Sequence, residues 1–449
     1  MSGDTAIPGS ASVKHGWEGA GSLGKSGKAG DTRRTDSAGS EGETMTGDGT
    51  HRILTINIGS SSVKLALYHM GADLERLTLS GIIDRIGLEG SHFRMKGEDG
   101  KVMSKRELNL PDHEAALKVF LDWLRDHLRQ EGLEAVGHRL VHGGVEYNQP
   151  HLVTPALLRS IKELIPLAPG HLPQELKAME AIQQLFPALK QVACFDTSFH
   201  RHMPEVAKIY GLPRYLQDKG VLRYGFHGLS CEFLIDELRR RAGPEAADGR
   251  VIIAHLGNGA SMTAARNGRS VDTTMGFTPA GGLLMSTRSG DLDPGVLVYL
   301  LEQAGVEPSA LNVIVNYKSG LLGLSGLSSD MQDLLDREKE NPHAASAINL
   351  FCYQAKKFLA SLTAVLGGLD TLIFSGGIGE NAPSIRWRIC QGMEFVGIHL
   401  DSSRNGANAP IISRDDSPSV VRVMRTDEDL MIARHTYKLV HPSSHFSPP

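Results

Sequence analysis

Cysteine, aromatic side chains and long apolar runs are all scarce in this chain, and each scarcity excludes a class of protein. Four cysteines occur in 449 residues. Cys194, Cys231, Cys352 and Cys390 lie far apart and form neither a CxxC pair nor a zinc-ligand spacing. Isolated thiols in a chain this long favour a reducing, cytoplasmic compartment over a disulfide-stapled secreted fold. Aromatics make up 6% of the residues, too few for a platform on which bases stack. Lys and Arg (47) nearly balance Asp and Glu (51), giving a formal charge of −4 with no basic run, so nucleic acid is not an expected partner. No apolar stretch reaches the roughly 18 residues of a membrane helix, and the first residues lack the compact apolar segment of a signal peptide. No membrane partner is expected.

What remains is a composition ordinary for a globular protein, 41% hydrophobic and 22% charged. The length allows two to three domains, and α/β chains of this size split into lobes around a cleft. Residues 1–50 are rich in Gly, Ser, Thr and mixed charge and cannot bury enough surface to offset their ordering entropy. They read as a disordered leader, with Met45 an alternative start, and residues 441–449 read as a similar Ser/Pro tail.

Order begins at Ile53. Ile53–Asn57 reads as a strand, Gly59-Ser60-Ser61-Ser62 as a turn and Val63–Tyr68 as a second strand. The same plan recurs at Val251–His255, the turn Gly257-Asn258-Gly259-Ala260 and a return strand through Ala265, with Asn267-Gly268 making the next hairpin. INIGSSSVKLAL and AHLGNGASMTAA thus read as an internal duplication that offers one hairpin turn from each of two lobes to a shared cleft. Helices lie between these units. Ala116, Val119, Phe120, Trp123, Leu124 and Leu128 share one helical face. A longer apolar helix, Ala344–Leu366, stops at Gly367-Gly368 before the strand Thr371–Phe374. The fold class is α/β, with mixed β-sheets flanked by helices.

Several segments can carry phosphate chemistry. A Gly/Ser turn between strands leaves backbone N–H groups free to converge on a phosphate, and Lys64 adds a cation beside the first one. Taken alone, GSSS reads first as a plain small-residue hairpin; two such turns in corresponding places argue for more. SGGIGEN (Ser375–Asn381) follows a buried strand, where backbone can approach a nucleotide at a helix start. Arg139 in GHRLVHGG and Arg288 in MSTRSGDLDP sit among Gly, His and Ser, and a planar guanidinium suits the charge spread over a transferring phosphoryl group. The alternative for Arg288 is a structural pair with Asp291 or Asp293. Asp196 ends a short apolar strand, a usual place for a catalytic or metal-binding carboxylate. A lone carboxylate suffices for Mg²⁺, which keeps waters and phosphate oxygens. Glu428 reads either as a second, water-mediated metal contact or as a helix-start acid favoured by the macrodipole. Of His138, His142, His200, His227 and His255, none has zinc spacing; some read as buried hydrogen bonders, and His227 in RYGFHG as a phosphoryl contact.

Together these segments resemble the acetate kinase family, which includes propionate and butyrate kinases and belongs to the superfamily of sugar kinases, actin and chaperone ATPases. INIGSSSVK, GHRLVHGG, FDTSFH, RYGFHG, HLGNGAS, VDTTMGFTP, STRSGDLDP, SGGIGEN and DEDLMIARH follow in order from Ile53 to about Tyr437. The resemblance implies ATP as co-substrate, acetate or another short-chain carboxylate as acceptor, and Mg²⁺, or Mn²⁺ in its place, arranged by Asn57, Asp196 and Glu428. It implies that Arg139 and Arg288 hold the carboxylate and the transferring phosphoryl, aided by His227. His255, Asn258 and Gly259 would meet the donor phosphates. Gly377, Ile378, Gly379 and Asn381 would line the adenosine site, with Asp330 near ribose and base. Val141, Phe226 and Pro279 would form the acyl pocket. Two actin-like (ribonuclease-H-like) lobes are implied, residues 51–198 and 199–428, with the helix 429–440 returning to the first lobe, usually in a homodimer.

Three departures stand out. Where the family reads LHNP this chain has Gly170-His171-Leu172-Pro173, so a pocket-lining Leu becomes Gly170 unless Leu172 folds back. The lost side chain leaves room for one or two methylenes, each worth at most about 0.8 kcal/mol, and a broadened acid range follows as an expectation. Gln332 replaces an Arg near the adenine, which predicts tolerance of other nucleoside triphosphates. Cys231 stands in place of a second His and is expected to pack. The rival readings are a propionate or butyrate kinase and, in a different class, an actin- or chaperone-like ATPase; paired arginines and an acid pocket favour the kinase, because water needs neither.

Overall fold

Ile53 to Ile58 is buried at every position, the burial expected of a strand covered on both faces. In the computed structural model, which describes residues 50–59, 61–87, 89–127 and 132–442, this segment is β1 (His51–Ile58) in the interior of an eight-stranded sheet. The remaining strands are β2 (Val63–Gly71), β3 (Leu74–Asp84), β4 (Ser91–Gly97), β5 (Val102–Leu108), β6 (Leu133–Leu140), β7 (His151–Leu152) and β8 (Lys190–Phe195), in the order β5-β4-β3-β2-β1-β6-β8-β7. A second sheet holds β9 (Val251–Leu256), β10 (Ala260–Arg266), β11 (Arg269–Thr273), β12 (Thr371–Ser375) and β13 (Val420–Val423), in the order β11-β10-β9-β12-β13. The leader lies outside the described residues apart from Thr50, as do Ser60, Leu128 and residues 443–449 of the tail.

The duplication read from two hairpins extends to whole sheets. β1, β2 and β3 pair antiparallel, then β6 joins β1 and β8 joins β6 in parallel. β9, β10 and β11 pair antiparallel, then β12 joins β9 and β13 joins β12 in parallel. Both halves therefore have the actin-like plan. The turn at Asn267-Gly268 has φ of 53° and 67°, as a two-residue hairpin of matching twist requires.

The helices follow the expected spacing. His113–His127 buries Ala116, Phe120, Trp123 and Leu124, with Val119 partly buried beside them. Pro342–Leu366 starts on the Asn341 side chain, which accepts from His343 N and Ala344 N, and ends at Gly367 with φ 70°. The last helix, Glu428–Val440, packs on β1, β2, β6 and β8. It fits closely because Gly137 of β6 lacks a Cβ, which would collide with Ile432 and Thr436. A buried pair, Arg434 with Glu75 at 2.6 and 2.8 Å, ties the helix to β3. All four cysteines are free and buried, and Cys231 packs with its Sγ 3.7 Å from Thr263 Oγ1, as expected. Among the described residues no helix is long and apolar enough to cross a membrane.

Candidate active site

Parallel strands deliver residues at their carboxyl ends to one edge of the first sheet. Arg139 lies at the end of β6, and Asp196 follows β8, placed by its N–H bond to Leu140 O at 2.9 Å. The Arg139 Nε and Nη2 donate to Asp196 Oδ2 at 3.1 and 2.5 Å, and Nη1 donates to Ile58 O at 3.1 Å. Glu428, first residue of the last helix, brings Oε2 within 4.0 Å of Arg139 Nε. It accepts from Asn57 Nδ2 at 3.0 Å and from Ser230 Oγ at 2.6 Å. The three residues of the expected metal set, Asn57, Asp196 and Glu428, are thus brought together.

Burial is the dominant force on these groups. It pushes the Asp196 carboxyl up to about 6, against the pull of Arg139. Burial acts the same way on Glu428, but there Arg139, His255, Ser230 and His227 outweigh it and hold the carboxyl well below its ordinary range. Arg139 is opposed by burial yet held above its ordinary range by Asp196 and Glu428. Asp196 Oδ1 is buried without a hydrogen-bond partner. An orphaned anionic oxygen beside a second carboxylate and an amide is a donor set that fits Mg²⁺.

The second sheet supplies the facing groups. His227 has φ 58°, a left-handed conformation uncommon for a non-glycine residue, at the start of the helix Gly228–Ala242. Its Nδ1 lies 2.9 Å from Ser261 Oγ, and its ring is 4.4 Å from that of His255 at the end of β9. Burial lowers the pKa of both imidazoles; for His227 the neighbouring His255 and the arginines add to it against the pull of Glu428 and take it well below the ordinary range. A Cβ at Gly259 would stand 3.1 Å from His227 Nε2 and 3.6 Å from Arg288 Nη1, so glycine there keeps the approach open. Arg288 is not paired with Asp291 or Asp293. Asp291 accepts from Gly282 N at 2.6 Å and Asp293 caps the helix Pro294–Glu302. Arg288 Nη1 instead donates to Pro279 O at 3.0 Å, and burial lowers the pKa of its guanidinium.

A cavity of about 380 Å³ opens beside the β9–β10 turn. Six expected nucleotide residues line it: Asn258, Asp330, Gln332, Gly377, Ile378 and Asn381. Ser286, Met331, Leu335 and Ala382 also line it and were not anticipated, because no motif marks them. Gly376, with φ 77°, lets the chain turn past Leu256 O, which a Cβ would meet at 2.7 Å. Gly379 is buried behind the wall rather than in it; its carbonyl accepts from the fully buried Arg386 at 2.8 Å. Lys64 is in register with Asn57 on β2 with its side chain exposed, and is not among the cavity residues. Gln332 donates to Asp336 Oδ1 at 2.8 Å, and Asp330 caps its own helix by accepting from Gln332 N at 2.7 Å.

On the acid side Val141 and Phe226 are buried, and Val141 N donates to Glu175 Oε2 at 3.1 Å. Burial raises Glu175 to about 8, so this unanticipated carboxyl is largely protonated at neutral pH. Leu172 is buried in the same core cluster as Val141 and Phe226. A Cβ on Gly170 would collide with the phenol oxygen of Tyr317. Space expected to be open is therefore partly held by a side chain over a hundred residues away, which no local pattern announces. Three of the histidines are structural neighbours: His138 bonds Gln191 Oε1, His200 bonds Ser270 Oγ and Phe226 O, and His142 accepts from Gly144 N.

The duplicated sheets and their facing turns place the chain in the actin-like class of kinases and ATPases. A model of the acetokinase family matches residues 52–434. An acetate kinase of Rhodopseudomonas palustris (strain TIE-1) is 45% identical over 394 residues, covering 86% of this chain and 98% of that protein. The crystal structure of Porphyromonas gingivalis acetate kinase superposes with a TM-score of 0.77 at 39% identity, over 87% of this chain and 100% of that one. A propionate kinase from Francisella tularensis subsp. tularensis SCHU S4 gives 0.79 at 35% identity, over 86% and 99%. The chain belongs to the acetokinase family.

Proposed function

We propose that this chain transfers the γ-phosphoryl group of ATP directly and reversibly to acetate, giving acetyl phosphate and ADP. The observation that carries the reading is Arg288, a partly buried guanidinium held by a carbonyl rather than a carboxylate, facing Gly259 and His227. Such a cation is costly to bury unless an anion arrives to meet it. Acetate is ionised at neutral pH and needs no general base. The task is to bring two anions together and stabilise the charge spread over the phosphoryl oxygens. Arg139, oriented by Asp196, and Arg288 hold the carboxylate against the phosphoryl group, with His227 positioned by Ser261 as a further donor. A carboxylate oxygen forms the new bond to phosphorus in line as the bond to the ADP oxygen breaks. Asn258 and Gly259 meet the donor phosphates, and the cavity through Gly377, Ile378 and Asn381 takes the nucleoside. Asn57, Asp196 and Glu428 would hold Mg²⁺, which supplies charge neutralisation at the phosphates when bound.

Steady-state ATP consumption with acetate, propionate, butyrate and no acid, trapping acyl phosphate with hydroxylamine, tests this. Acid-dependent turnover with trapped product is expected; equal turnover without acid overturns it in favour of an ATPase. A preference for propionate is the second reading, favoured by Gly170 and by likeness to the Francisella tularensis protein. Tyr317 beside Gly170 favours acetate. Gln332, tied to Asp336, leaves the base without a guanidinium, so GTP is expected to serve nearly as well as ATP.

Four buried free thiols support a cytoplasmic enzyme. Sheet membership supports a lobe boundary near residue 198, with the last helix returned to the first lobe. The helices Pro294–Glu302 and Pro308–Tyr317 bury none of their residues, and Val296, Val298 and Tyr299 are exposed, which supports a homodimer through this apolar face. Val298→Lys is expected to give monomers by light scattering; an unchanged dimer sinks that choice of face.

A further inference from the structure

The end of β1 remote from Asn57 carries a cluster that the transfer reaction does not use. His51, the first residue of β1, presents Nδ1 2.5 Å from Glu134 Oε2, and Glu134 is the second residue of the neighbouring β6. His441, at the C-terminal cap of the last helix, presents Nε2 2.6 Å from the other Glu134 oxygen. The two imidazole rings are 3.9 Å apart between centroids, and Tyr437 packs against both, at 5.5 and 5.0 Å. The three side chains retain 16–23% exposure, so one side of the cluster is open to solvent. One ligand atom from each residue can be chosen so that all lie within 4.8 Å of one another.

We propose that His51, Glu134 and His441 form a transition-metal site, distinct from the transfer site, that staples the last helix to the first sheet. Two imidazoles and a carboxylate are a donor set for Zn²⁺, Co²⁺ or Ni²⁺, whereas Mg²⁺ prefers oxygen alone. Ligands at about 2.0–2.1 Å around a tetrahedral ion stand roughly 3.3 Å from one another. The Glu134–imidazole contacts therefore open by less than about an ångström to admit the ion, and a fourth position is left for water. Six residues of strand put the cluster on the order of 20 Å from Asn57, too far to share an ion with Asp196 and Glu428. The alternative is a hydrogen-bonded triad in which Glu134 serves both imidazoles and no metal binds.

The full chain, stripped with EDTA and free of nucleotide, is titrated with Zn²⁺ by calorimetry and with Co²⁺ by visible absorption. One site per chain is expected, with the intense visible bands of low-coordinate Co²⁺ and a Tm a few degrees higher with Zn²⁺. His51→Gln and His441→Gln should each weaken it at least tenfold, while Glu428→Gln leaves it intact. No stoichiometric site, an affinity indifferent to both histidines, or loss of the site in Glu428→Gln overturns the proposal. Should a histidine variant fail to fold, the wild-type Co²⁺ spectrum decides: a weak, octahedral all-oxygen spectrum also overturns it.

Discussion

The two halves of the molecule share a strand plan and use its carboxyl edge in opposite ways. In the first half the ends of β1, β6 and β8 gather charge: Arg139, Asp196 and, from the returning helix, Glu428, all packed within hydrogen-bond or ion-pair distance. In the second half the ends of β9 and β12 carry Gly257, Asn258, Gly259, Gly376 and Gly377, and the wall they begin is largely neutral. The scaffold places residues at one edge in both; the side chains decide what the edge does. A site that joins two anions needs dense charge where bonds change and close backbone approach where the donor is held. Duplication followed by divergence of a few end positions meets both needs with one architecture.

The contrast can be broken most severely at its charged edge. Asp196→Asn should lower kcat by about 10³ or more, since on the proposed mechanism it removes both the anion that orients Arg139 and an oxygen that would hold the metal. Steady-state kinetics with acetate checks this, and a loss below tenfold would make Asp196 structural. Arg288→Ala should cut kcat by a factor on the order of 10²–10³ with ATP affinity nearly unchanged, because the proposed mechanism sets it against the transferring group and it does not line the nucleoside cavity. An equal fall in ATP affinity would erase the division between edges. The same division appears in pH dependence. Asp196 is raised to about 6 by burial, and the proposed mechanism needs its ionised form, so kcat/KM should be flat near neutrality and fall about tenfold per pH unit below about 6. A profile flat to pH 5 breaks that assignment. The smallest effect belongs to the acid pocket. Tyr317→Ala should raise the propionate-to-acetate ratio of kcat/KM about fourfold, the worth of one buried methylene, and an unchanged ratio would show that Tyr317 does not bound the pocket.

Much of this was legible in the chain itself because its signals are local. Strand–turn–strand units announced β1–β2 and β9–β10, Gly367 marked the end of Pro342–Leu366, and the motif residues Arg139, Asp196, His227 and Glu428 fall together as expected. The residues that support them were silent for the opposite reason. Ser230 reaches Glu428 across 198 positions, Ser261 reaches His227 across 34, and Glu175 lies under Val141 as an ordinary acid of an amphipathic helix. Serine and glutamate at such places carry no periodic or motif signal.

By itself, then, the order of residues determined the element types, the duplicated plan and the groups able to bind phosphate, because backbone preference and side-chain chemistry are properties of short segments. Only the tertiary structure decided which arginine is paired and which stands without a carboxylate, which of five histidines face the site, and that Tyr317 occupies the room beside Gly170. Those outcomes depend on burial and on contacts between residues far apart in the chain, and burial is what turns an ordinary charge into one that waits for a partner.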